Sequence, residues 1–193
     1  HDELIFEISQ DRLEEYREKI EHLYKIDQLS GLKENKFVSF AGIIRKAKRV
    51  TTKKGDMMCF LEVEDFAGVI EATVFPKSFY ENINNLIPDM PVVVRGRINH
   101  IDDETKIIVD KVISMEEYVP EYCIILKPEQ ETQKNFLMLK ETLHEYAGNC
   151  PVYMYFLSTK KMIKGNCEFW INGTDKAFKE LQKLLGKNAV KQR

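Results

Sequence analysis

Six cationic side chains, Arg45, Lys46, Lys48, Arg49, Lys53 and Lys54, fall within ten consecutive residues, and Asp56 is the acid that accompanies them. Spaced cations around a turn containing Gly55 suit the spaced charges of a phosphate backbone. The competing reading is a solvated turn whose lysines keep a strand end soluble. Phe60 lies on the outward parity of the following strand beside Met58, where its ring either serves as a platform for a base or is covered by a neighbouring domain. Arg95 and Arg97 share the outward parity of a later strand and would extend the cationic track. Glu62, Glu64 and Glu71 also point outward with Phe60 and would repel a polyanion. The charge pattern therefore places binding on the turn and the end of the first strand, away from the middle of the face.

Residues able to do covalent or metal chemistry are not arranged for it. Asp102, Asp103 and Glu104 are consecutive in a loop, which reads as a solvated turn rather than a metal-holding cluster. His22, His100 and His144 have no evident partner for nucleophilic catalysis, and no glycine-rich phosphate loop occurs. The four cysteines, Cys59, Cys123, Cys150 and Cys167, form no CxxC pair, so neither zinc nor a disulfide framework is expected. Free thiols in a reducing cytoplasm are the simplest reading. No metal, cofactor or catalytic residue is expected in this chain. No apolar run approaches the ~20 residues that a membrane-spanning helix needs, and no signal-peptide pattern is present. The abrupt opening on His1-Asp2-Glu3 reads as the start of a piece cut from something longer.

The elements that would position the cationic turn follow from a change in hydrophobic period. Residues 1–36 read as a helical linker segment, with Ser9 as N-cap and Leu13, Tyr16, Ile20 and Leu23 forming one apolar stripe. From Phe37 the period alternates. Val38, Phe40 and Ile44 share one face, and Gly42 marks a position for a bulge or bend. Cys59, Leu61 and Val63 form the next buried row, followed by Ile70, Ala72 and Val74 beyond the turn at Asp65–Gly68. Pro76 ends that strand, a short helix follows, and PVVVRGRIN and KIIVDKV supply two further strands around the loop HIDDET. Five strands with a helix between the third and fourth define a five-stranded OB-fold barrel over residues 37–118, with a generic five-strand sandwich as the alternative.

Residues 119–193 change pattern again. EYCIILK, PVYMYFL and CEFWING read as strands, STKKMIKGN as a basic turn, and the segment ending at Gly148 as an amphipathic helix. Thr174 caps a last helix carrying Phe178, Leu181, Leu184 and Leu185, and Gly186 stops it. The fold class is thus mainly β with α+β: a helical segment, a barrel, then a small α+β domain. Charge is uneven across these parts. Residues 1–36 carry six Lys/Arg against ten Asp/Glu, residues 37–118 eleven against thirteen, and residues 119–193 twelve against eight. Any polyanion contact must therefore be local.

The series FAGIIRKAKRVTTKKGDMMCFLEVEDFAGVIEATVFPKSF, followed by VVVRGRI, resembles the OB domain of the alpha subunit of bacterial replicative DNA polymerase III, DnaE type. The spacing TKKG, M-x-F, ED-x-x-G-x-I-E and VFP is its most specific part. Upstream, FEISQDRLEEY is similar to a family segment, although Gln10-Asp11-Arg12 stands where the family has Gly-His-Pro. Downstream, GNCPVYMYF and the final helix resemble the family's small carboxy-terminal domain. The resemblance implies a barrel that contacts single-stranded template DNA and a last domain that docks the tau subunit of the clamp loader. It also implies attachment to the remainder of a DNA-directed DNA polymerase, a nucleotidyltransferase whose metal-holding carboxylates lie outside these residues. QLSGL (Gln28–Leu32) superficially resembles a sliding-clamp peptide but reads better as a helix-end turn. A rival reading comes from the anticodon-binding OB domains of class II aminoacyl-tRNA synthetases, which share the F-x-x-L-x-D-x-x-G-x-I core. A purely structural interdomain module is the third.

Overall fold

The computed structural model describes residues 16, 17 and 19–192. The chain divides into two compact units, one spanning Leu23–Tyr118 and the other joining Val119 onward to the described residues up to His22. Ser9 and Leu13 lie outside the described residues; Tyr16, Arg17, Lys19 and Ile20 are helical.

Five strands build the first unit: β1 (Phe37–Thr51), β2 (Met57–Asp65), β3 (Gly68–Val74), β4 (Pro91–Ile101) and β5 (Glu104–Ser114). They close into a barrel in the order β1-β2-β3-β5-β4, sealed where β1 pairs antiparallel with β4 from Phe37↔Arg97 to Ile43↔Pro91. With helix α2 (Pro76–Asn82) between β3 and β4, this is the OB-fold barrel that the alternation predicts. Val38, Phe40, Ile44, Cys59, Leu61, Val63, Ile70, Ala72 and Val74 are all buried. Residues 23–36, read from sequence as part of a linker, belong to this unit. There α1 (Ile26–Leu29) sends Ile26 and Leu29 into the barrel core, and Tyr24 bridges to Phe40.

Two irregularities shape the barrel. The register of β1 against β2 slips between Ile44 and Lys46, so the bulge is at Arg45 and not at Gly42. Gly42 does a different job: a Cβ there would stand 2.7 Å from the Glu64 carbonyl oxygen and 2.7 Å from Val63 Cγ1, and its absence lets β2 approach. A second slip, between Arg95 and Gly96, leaves Asp110 of β5 unmatched. The buried Asn82 secures it. Val112 N–H donates to Asn82 Oδ1 at 2.8 Å, and Asn82 Nδ2 donates to the Ser78 carbonyl at 2.7 Å. The barrel's shortest seam is the parallel contact of β3 with β5, made by Ala72↔Ile107 and Thr73↔Ile108.

The second unit holds a four-stranded sheet in the order β10-β6-β8-β9, built from β6 (Tyr122–Leu126), β8 (Val152–Phe156), β9 (Lys161–Lys164) and β10 (Val190–Gln192). Helices α3 (Gln133–Glu145) and α4 (Asp175–Leu185) pack their buried Leu139, Leu143, Phe178, Leu181 and Leu185 against Tyr122, Ile124, Leu126 and Val152. Thr132 and Thr174 cap the two helices, accepting from Asn135 N–H and Ala177 N–H at 3.3 Å each. Several sequence expectations are corrected here. The basic turn contains β9, whose four side chains stay exposed while its backbone pairs with β8. CEFWING forms a 3-10 turn at Cys167–Phe169, after which Ile171 bridges to Ala147 and Cys150. Helix α3 ends at Glu145, so Gly148 belongs to β7 (Ala147–Cys150) and not to a helix stop. The segment after Gly186 is no loose tail, since Val190–Gln192 pairs with β6 and Val190 is only 2% exposed. Among the described residues, no helix is long and apolar enough to cross a membrane.

Candidate nucleic-acid interface

The turn between β1 and β2 is a closed structure. Thr52 N–H donates to the Asp56 carbonyl at 2.8 Å, Gly55 N–H to the Thr52 carbonyl at 3.0 Å, and Asp56 N–H to Thr52 Oγ1 at 3.2 Å. Gly55, at φ +90°, supplies the left-handed backbone that closes it. Lys53 and Lys54 project from this turn into solvent and form no ion pair among the described residues.

The six predicted cations separate by role. Arg45 Nε meets Glu64 at 2.6 Å, and Lys46 Nζ meets Glu62 at 2.9 Å. Arg49 sits opposite the buried Cys59, which puts it on the inward parity at the barrel end, with its guanidinium 6.0 Å from the Phe79 ring centroid. Lys48 stands opposite Phe60 on the outward face. Lys48, Lys53, Lys54 and Phe60 therefore form one group, Arg45 and Lys46 serve the strand pair, and Arg49 faces the barrel end.

The cross-strand register extends that group. Lys48 is opposite Phe60, Phe60 opposite Thr73, Thr73 beside Ile108, and Ile108 opposite Arg97, which is opposite Phe37. One outward row thus runs from a cation through an aromatic, a hydroxyl and an aliphatic side chain to a second cation. Phe60 is 45% exposed, and three interstrand steps of ~4.8 Å put it about 14 Å from Arg97. The Arg97 guanidinium lies 5.6 Å from the Phe37 ring centroid, with Nη2 3.4 Å from Asp110. Arg95, opposite Ser39 and Lys111, is half-buried and lies 6.0 Å from the Tyr118 ring. Both arginines border the start of β1, nine or more residues along that strand from Lys48, so Arg97 joins the turn only through the row and Arg95 lies off it.

The neighbouring row weakens the objection raised by the glutamates. Besides the Lys46–Glu62 pair, Lys106 Nζ lies 2.6 Å from Glu71 and 3.3 Å from Glu104. The hydrogen bonds and charges of these two glutamates raise the affinity of Lys106 for its proton. Glu62, Glu64 and Glu71 each contact a base, although Lys106 is shared between Glu71 and Glu104, so the repulsion expected from sequence is reduced. Sequence reasoning missed Thr73, Ile108 and Lys106 as members of these rows, because their adjacency depends on barrel closure and on the two bulges.

Two other constellations lie apart from this surface. Glu21, His22 and Asp175 bring ligand-type atoms within 4.8 Å of one another. Lys179 already binds the Asp175 carboxylate, and Asp175 lies in the first turn of α4, at the positive end of the helix. This setting disfavours a cation. His22 instead stacks on Phe178 at 3.8 Å and 13°. In the clamp-like peptide, Leu29 is fully buried and Gln28 Oε1 accepts from Lys25 N–H at 3.0 Å, so both are used within the fold.

The closed five-stranded barrel has the OB fold, and residues 38–115 match the family described as "OB-fold nucleic acid binding domain", under the name tRNA_anti-codon. Beyond the barrel, the chain is homologous to a segment of DNA polymerase III subunit alpha. It is 29% identical to that protein of Bacillus subtilis over 79% of this chain and 14% of the relative. It is 28% identical to the Halalkalibacterium halodurans protein over 91% and 16%, and 35% identical to the Aquifex aeolicus protein over 65% and 11%. The chain thus spans 11–16% of the length of these relatives.

Proposed function

We propose that this chain is a non-catalytic part of a replicative DNA polymerase III alpha subunit, working in the cytoplasm during DNA replication. In this reading its barrel holds single-stranded template for polymerase chemistry carried out elsewhere in the protein. The observation that carries it is the row Lys48–Phe60–Thr73–Ile108–Arg97 beside the lysines of the turn. Cations can track a backbone while Phe60 stacks a base, a combination that tolerates any sequence. The homology to polymerase III alpha subunits selects the DNA-replication setting.

The test is a salt titration of binding to a labelled single-stranded oligonucleotide. Replacing Lys53 and Lys54 by Ala is expected to weaken binding equally for all sequences and to flatten the salt slope by about one to two. An unchanged slope would remove the turn from the interface. The name of the matched family favours a second reading, in which the barrel binds RNA. Parallel titration with DNA and RNA of one sequence separates the two, since only the RNA reading calls for discrimination in favour of the 2′-hydroxyl.

Residues 119–193 are proposed to dock the tau subunit of the clamp loader, supported by the homology over this region and by its twelve Lys/Arg against eight Asp/Glu. Exposed Lys176, Lys183 and Lys187 on and after α4 are the residues to change. Their joint replacement by Gln is expected to reduce tau affinity with only a small change in thermal unfolding, since the Lys183–Glu180 pair is exposed. Full affinity would place docking elsewhere in the unit.

A further inference from the structure

The end of the barrel beyond the cationic turn carries an aromatic that the row does not use. Tyr80, on α2, follows the buried Phe79, and their rings meet edge to face at 5.5 Å and 83°. Its hydroxyl oxygen accepts from Met57 N–H at 3.4 Å, at the point where the turn becomes β2. The ring is held at both ends, yet Tyr80 is 56% exposed. A ring oriented by its neighbours and more than half exposed offers a stacking surface to a further aromatic. Arg49, over the same Phe79 ring, brings a guanidinium to this barrel end, and Lys53 and Lys54 stand on the adjoining turn.

Distances along β2 link this place to the row. Met57 and Phe60 are three residues apart, about 10 Å at ~3.3 Å per residue. That is about three nucleotide steps at the ~3.4 Å rise of a stacked strand.

We propose that Tyr80 is a second base-stacking position with Arg49 as its phosphate contact, so that a strand held at Phe60 turns along β2, passes the lysines and continues onto the barrel end. The proposal rests on the single-strand reading above.

The test measures the affinity of the whole 193-residue chain for fluorescein-labelled (dT)12 and for an abasic deoxyribose-phosphate oligomer of equal length. Tyr80→Leu is expected to weaken (dT)12 binding about tenfold and leave the abasic oligomer unchanged, while Tyr80→Phe keeps wild-type affinity. Arg49→Ala is expected to weaken both oligomers alike. A Tyr80→Leu protein that binds (dT)12 as wild type does, or that loses both oligomers equally, overturns the stacking role. To guard against a folding defect in the variants, the wild-type chain is photocrosslinked to 5-iododeoxyuridine oligonucleotides. A crosslink at Tyr80 is expected, and crosslinks at Phe60 alone overturn the proposal. A wild-type chain that binds neither oligomer instead overturns the single-strand reading itself.

Discussion

Phe60 and His22 are aromatic side chains in opposite settings, one exposed and one stacked on a neighbour, and each can be tested alone. Phe60 projects from the outward face of β2 at 45% exposure, so its removal costs the fold little. Phe60→Ala should lower single-strand affinity by ~1–3 kcal/mol while leaving the melting temperature unchanged; retained affinity with a lowered melting temperature would make it a packing residue. His22 is pressed against Phe178, and burial pushes its imidazole below the ordinary 6.5, with Lys179 acting in the same direction and Glu21 and Asp175 opposing. As pH falls through about 6.5 the unfolded chain takes up this proton before the folded chain does, so the unfolded state gains. The stabilisation is present in full above that pH and is lost below it. Melting temperatures of wild type and His22→Gln, compared from pH 7.5 to 5, should show the steeper decline in wild type; parallel declines would remove His22 as the cause.

Among elements, the barrel strands could be read from sequence and the short strands of the second unit could not. Val38, Phe40 and Ile44, or Cys59, Leu61 and Val63, alternate because one face of each strand fills the barrel. β10 has three residues and β9 is exposed along its whole length, so neither offers alternation to detect. The cationic turn was also legible, but its division into bound and solvent-facing members was not. That division depends on the bulge at Arg45, which decides which cation meets which glutamate. Gly42 was recognised as special for the wrong reason. Since a Cβ there meets the Glu64 carbonyl at 2.7 Å, Gly42→Ala should destabilise the barrel by ~1–3 kcal/mol, measurable by urea unfolding; a neutral effect would show that β1 and β2 separate easily. Removing Lys187–Arg193 should likewise lower the melting temperature of the second unit, because it strips β10 from β6 and takes away the buried Ala189 and Val190. A body of burial like that of Val190 is worth about 1.5–3 kcal/mol. An unchanged melting temperature would mean that β10 adds nothing to the sheet.

At the scale of the molecule, net charge says little and its placement says much. A formal charge of −2 hides a barrel face on which Glu62, Glu64 and Glu71 each contact a base, while the turn lysines stand in solvent, unpaired among the described residues. Closure makes that face possible, since Arg97 reaches the row of Phe60 only through the contact of β3 with β5. That contact rests on Ala72↔Ile107 and Thr73↔Ile108, whereas β1 joins β4 along Phe37–Ile43. The barrel therefore has a clasp. Unfastening it yields a curved five-stranded ribbon in the order β3-β2-β1-β4-β5, with every other ladder intact. Such partial opening costs less than global unfolding, so amide deuterium uptake should be faster at Thr73 and Ile108 than at Phe40 and Val94; uniform uptake would show that the barrel opens only as a whole. A ribbon that can unfasten there would also break the row between Phe60 and Arg97, and a strand lying across both would hold the clasp shut.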